Sequence, residues 1–145
     1  MNKLEDNILP TNVIEGEHNY HFETVEGDGT RKTPYHRIHL HGTRYYITAK
    51  ENYTFEVVVV SIQDQVNCDF EIPIWRIYEL KSGYLMNTKS SLDQVFHLFN
   101  LWRNASSLIL EEQIKTWIHN VYDEKENYWL VKQIPKFDTD NLGWL

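Results

Sequence analysis

Cysteine is almost absent from this chain: Cys68 stands alone among 145 residues, so no disulfide can close within it. Long apolar runs are missing as well. No stretch approaches the roughly 18–20 apolar residues of a membrane span, and the opening MNKLEDNILPTNVIEGE holds no apolar segment of the kind a secretory signal needs. These absences argue against a membrane and for a reducing cytoplasmic setting. In that setting the N-x-[ST] matches at Asn52 and Asn104 have no glycosylation meaning. Glycine is sparse too, and Gly27-x-Gly29 opens no helix, so no phosphate loop is present; no G-x-S-x-G elbow occurs either. Alanine is scarce while Asn, Ile, Lys and Tyr are abundant, the usage of an AT-rich genome such as that of a low-GC bacterium or its phage.

What the chain does have is apolar and aromatic mass. Hydrophobic residues make up 41% and aromatics 14%, with five Trp, nine Tyr and six Phe, which is more than a disordered chain carries. Residues 1–145 read as one domain, because two halves of this length would each bury too little to fold alone. Residues 1–17 form an irregular lead-in, and 135–145 a tail.

The net charge of −7 is unevenly spread. Residues 1–30 set seven carboxylates against Lys3, a balance of −6. Residues 31–50 carry Arg31, Lys32, Arg37, Arg44 and Lys50 with no carboxylate, a balance of +5. Either acidic and basic strands lie side by side and neutralise each other, or the basic stretch is an anion site on an acidic body.

Local patterning gives an α+β fold: a mainly antiparallel sheet of about five to seven strands in a meander, packed on two consecutive C-terminal helices. Strands are expected at 18–26, 53–62, 71–80, 84–87 and 127–134. The run Val57–Val60 is β-branched throughout, which suggests a central strand buried on both faces. Pro73 argues for an edge or a strand start. Ser91 with Gln94 makes a capping box, followed by Leu92, Val95, Phe96, Phe99 and Trp102 at helical spacing. Ser106 or Ser107 caps a second helix with Leu110, Ile114, Trp117, Ile118 and Val121 on its apolar face. Glu111 and Lys115 form an i,i+4 pair on the other face.

The stretch YHRIHLHGTRYYIT at 35–48 carries the candidate site. Gly42-Thr43 matches a two-residue type II′ hairpin loop, which would place Tyr35, Arg37, His39, His41, Arg44 and Tyr46 together on one polar face. The opposite face, with Ile38, Leu40, Tyr45 and Ile47, would be buried. Arg supplies planar donors for phosphate, Tyr a ring on which a base can stack, and both suit protein interfaces.

Catalytic constellations are incomplete. His39 and His41 could share a metal ion, but a third ligand is not evident in the stretch; His18 or His21 would complete a site only if the strand at 18–26 pairs alongside, with Glu23 as a carboxylate. His41-Gly42-Thr43 is half of a two-histidine phosphoesterase pattern with no second copy. Cys68 has no base beside it in sequence.

The sequence therefore reads as a small, non-catalytic cytosolic protein that acts by binding another protein, without a cofactor. A regulator, inhibitor or immunity-type factor fits this description. Two alternatives stay open: nucleotide or nucleic-acid binding by the basic, aromatic hairpin face, and a metal-dependent enzyme centred on His39 and His41. The apolar end of the tail, Trp144 and Leu145, offers a surface to a partner or to a second copy of the chain.

Overall fold

The computed structural model describes residues 9–118, apart from 28–29, 35 and 66–72. The strand expected at 127–134, the tail at 135–145, Cys68 and Tyr35 lie outside the described residues. Six strands form one antiparallel sheet: β1 (Val13–Glu15), β2 (Tyr20–Glu26), β3 (His36–Thr48), β4 (Thr54–Ser61), β5 (Trp75–Glu79) and β6 (Leu85–Lys89). A single helical turn, α1 (Ile62–Gln65), follows β4, and the helices α2 (Leu92–Arg103) and α3 (Ser107–Ile118) follow the sheet. The strand order is β1-β3-β4-β5-β6, with β2 also paired to β3. Strands β3 to β6 run as the expected meander.

The valine run explains the layering. Val57, Val58 and Val60 are wholly buried and Val59 nearly so. Successive strand residues face opposite ways, so both faces of β4 need a cover. On one face Val57 and Val59 join Tyr45, Ile47, Ile77 and Met86 beneath the helical residues Phe96, Phe99, Trp102, Leu110 and Trp117. On the other, Val58 and Val60 join Tyr78, Phe22 and Leu40. Fully burying a valine contributes about 1.5–3 kcal/mol, so leaving either face open would be costly.

The second cover is the arm formed by β2 and the first half of β3. In the sheet order β3 and β4 separate β2 from β5, yet the Phe22 and Tyr78 rings meet edge to face with centroids 5.4 Å apart. The arm must therefore lie over the Val58 face of β4 and β5. Thr24 Oγ1 on the arm donates to Gly83 O in the β5–β6 turn, which ties the two layers.

Here the expected hairpin at Gly42-Thr43 is corrected. The chain does not reverse: β3 continues through both residues, with Gly42 opposite Tyr20 of β2 and Thr43 opposite Val59 of β4. The positive-φ glycines among the described residues are Gly27 and Gly83, whereas a type II′ loop would need Gly42 in that region. Gly42 serves close approach instead. A Cβ there would sit 2.9 Å from Val59 C and 3.1 Å from Val60 Cα, and closer still to Val59 O. Backbone meets backbone where β3 leaves β4 and enters the arm, so a side chain has no room.

The ends of α2 follow the expected chemistry. Ser91 is the N-cap, and its Oγ accepts from Gln94 N at 3.2 Å. The reciprocal bond is displaced by one residue: Gln94 Oε1 accepts from Ser90 N, also at 3.2 Å. In the β5–β6 turn, Glu79 accepts from the N–H groups of Lys81 at 2.8 Å and Ser82 at 2.7 Å. Its carboxyl is 1% exposed, and burial raises its pKa above the usual 4.5 despite those bonds.

Two outcomes follow from this packing. Gly42→Ala and Gly42→Asn should both destabilise the fold by about 1–3 kcal/mol in urea unfolding, because any Cβ overpacks the crossing; a turn glycine would tolerate Asn better. For Glu79 the folded state holds its proton more tightly than the unfolded chain. Its stability contribution is thus full below about pH 4.5 and lost as pH rises through the raised folded-state value. Glu79→Gln should gain on the wild type between pH 5 and pH 7.5 in paired unfolding curves, and parallel curves would contradict a shifted carboxyl.

Candidate functional site

Because β3 is continuous, its side chains alternate without the phase change that a turn would introduce. Arg37, His39 and His41 point to one side; Leu40, Gly42, Arg44 and Tyr46 point to the other. The expected common face is therefore split between the two sides of the strand. Leu40 goes into the second core, whereas Arg37 and His39 are exposed on the outer surface of the arm.

Arg44 is held in place by its neighbours. It faces Val58 across the ladder, and its guanidinium lies over the rings of Tyr20 and Tyr46, 4.6 and 4.9 Å from their centroids. It bonds Glu17 at 3.2 Å and also Glu56. Burial works to lower its pKa, and the bonds to Glu56 and Glu17 outweigh that and raise it. Gly16 makes space for this stack, since a Cβ there would lie 2.9 Å from the Tyr46 ring. Gly16 and Glu17 also hydrogen-bond the Arg44 backbone where β1 gives way to β2, through Gly16 N to Arg44 O and Arg44 N to Glu17 O. Arg44 and Tyr46 are thus a packing unit between the lead strand and the sheet.

The outer face of the arm is built from two strands in register. His21 lies opposite His41, Glu23 opposite His39, and Val25 opposite Arg37. Arg37 reaches diagonally to Glu23 at 3.4 Å. On the other side of the arm, at its end, Glu26 meets Arg76 of β5 at 3.3 Å and approaches His36 at 3.9 Å. Arg37 and Arg44 of the basic stretch are thus each met by a carboxylate of the acidic lead segment, and the outer face, with Glu23 beside Arg37, is mixed in charge.

Three imidazoles gather within this face. His21 Nδ1 and His39 Nε2 stand 2.7 Å apart, a hydrogen bond in which one ring donates and the other accepts. The ring centroids of His21 and His39 are 5.0 Å apart, and those of His21 and His41 are 5.2 Å apart. His18 is elsewhere, in the irregular link between β1 and β2, near Glu15 at 3.9 Å. Among the described residues no group of three or more His, Cys, Asp or Glu side chains is set to hold a metal ion. His21 and Glu23 are the members that the 35–48 stretch could not supply; the alternation of 18–26 is the signal that found them.

A groove of about 740 Å³ runs between Leu9–Thr11 and α2, lined in part by Asp93, His97 and Arg103. None of its lining residues belongs to the arm. No described helix is long and apolar enough to cross a membrane. No family model, curated protein or solved structure matches this chain.

The two arginines should separate under mutation. Arg44→Ala removes a stacked, doubly bonded cation and should cost on the order of 1–3 kcal/mol in chemical denaturation. Arg37→Ala removes an exposed pair and should stay within about 0.5 kcal/mol of wild type. Equal losses would contradict the different roles assigned to them.

Proposed function

We infer that this is a non-catalytic binding protein, and that it engages a protein partner through the outer face of the β2–β3 arm. The observation that carries the reading is the pairing of cation with carboxylate on that face, beside its histidines. On that face Arg37 is matched by Glu23; away from it Arg44 is matched by Glu17 and Glu56, and Arg76 by Glu26. A phosphate-binding surface needs cations whose countercharges are mobile ions, because their release drives binding. Here the countercharges are fixed carboxylates, and the chain as a whole carries −7. A mixed face of Arg, His and Glu suits a protein surface of complementary pattern, where charge sets orientation and specificity.

The arm is also well suited to present such a face. Its inner side is anchored by Phe22 and Leu40 on Val58, Val60 and Tyr78. On its outer side His21, Glu23, Arg37 and His39 are exposed among the described residues. A face held on a rigid ribbon keeps its geometry on binding and loses little entropy there. A regulatory, inhibitory or immunity-type role in a bacterial or phage setting is consistent with this reading.

The test is capture from a low-GC bacterial lysate with the wild-type chain and with Glu23→Lys/Arg37→Glu, which reverses the charge pattern while keeping the pair. The expected result is a protein retained by the wild type and lost with the reversed pair. Retention that does not distinguish the two would overturn the assignment of this face. In parallel, binding of a fluorescent single-stranded oligonucleotide at low salt should be weak; tight binding that falls steeply with salt would favour the nucleic-acid reading instead.

A further inference from the structure

Arg103 differs from the arginines of the sheet. Arg37, Arg44 and Arg76 each meet a carboxylate, whereas Arg103 forms no ion pair among the described residues. Its Nε donates to Asn100 Oδ1 at 2.8 Å, which fixes the guanidinium plane and leaves the two terminal nitrogens for a ligand. Both residues line the groove of about 740 Å³ beside α2. We propose that this groove binds the C-terminal end of a partner protein, as four or five extended residues whose free carboxylate is held by Arg103.

The length and lining of the groove support such a ligand. Asp93, His97, Asn100 and Arg103 recur at intervals of four, three and three residues, so they share one edge of α2 and form a polar wall. From Asp93 to Arg103 that wall runs about 15 Å, at about 1.5 Å per residue. An extended peptide rises about 3.3 Å per residue, so four or five residues fill it. Each peptide group brings a donor and an acceptor, which can pair with His97 and Asn100. An alkyl chain would cover those side chains without replacing their bonds to water. Leu9, Pro10 and Phe96 give apolar surface for the side chains of the peptide.

Charge selects the anionic end of a chain. A carboxylate is planar and accepts two parallel bonds from a guanidinium fork, which a lysine cannot supply. A cation in the last turn of α2 also complements the helix dipole, but any basic residue would do that. Lys89 closes β6 just before α2 begins, so it stands at the same end of the groove as Asp93, away from Arg103. There the two charges balance, nothing calls for the ammonium of a short free peptide, and a longer chain can continue past them. The lining as a whole sets Lys89 and Arg103 against Asp93, on a chain of net −7. A recess of opposite sign draws in a single carboxylate, while the acidic body repels a polyanion.

The groove is separate from the arm, and its test needs no lysate. The isotope-labelled full chain would be titrated, with nuclear magnetic resonance as the readout, with a positional-scanning library of N-acetylated pentapeptides, prepared as free acids and as C-terminal amides. Free-acid pools with apolar residues should shift the Arg103 Nε–H and Asn100 side-chain amide signals, and amidation should weaken binding at least tenfold. Arg103→Lys, which keeps the charge at the helix end, should weaken it as much while leaving the rest of the spectrum in place. Lys115→Ala on α3 should bind within threefold of wild type. The proposal is overturned if no pool moves those two signals at about 1 mM peptide, or if amides or octanoate bind as well as the free acids. It is equally overturned if a free amino terminus is required, or if Arg103→Lys binds unchanged.

Discussion

Four consecutive valines on β4 must be shielded from water on both sides, and the rest of the architecture answers to that demand. Helices α2 and α3 supply one shield, with Phe99, Trp102 and Trp117 at less than 2% exposure. The sheet itself supplies the other, by carrying β2 and the first half of β3 back across the Val58 side. That return requires the backbones of β3 and β4 to come closer than any side chain allows, and Gly42 stands at the point of contact. Burial and the position of one glycine are thus parts of the same constraint.

The folded arm also determines the electrostatics. With β1 and β2 laid along β3, the acidic first thirty residues and the basic twenty that follow are brought into contact strand by strand. Glu17 meets Arg44 and Glu23 meets Arg37, while Glu26 meets Arg76 of β5 beyond that stretch. Several of these pairs are exposed and contribute little to stability. Their importance is that they convert a cationic stretch into a mixed surface, which changes the class of partner it suits. Arg44 is the exception, because its two tyrosine rings and two carboxylates make it part of the packing.

Much of the fold was legible from local pattern. The helix at Leu92–Arg103 was marked by Ser91 and by its apolar spacing, and the central strand by its valines. The error lay at Gly42-Thr43, where a local signature suited both a turn and a close crossing of strands. Those alternatives differ only in what lies across from the glycine, which no window of sequence contains. A turn at 42 would have put Arg44 and Tyr46 beside His39 and His41. A continuous strand puts them on opposite sides, so an error over one residue divided the expected site in two.

Composition and periodicity determined that this chain makes an antiparallel sheet with a helical layer, and that its charges are segregated along its length. Such properties depend on neighbours within a few residues, where sterics and burial act locally. Which histidines meet was decided by tertiary structure, since His21 and His39 are eighteen residues apart and come together only through the β2–β3 register. So was the fate of the cations, because a charge is defined as free or matched by what stands a few ångströms away in space.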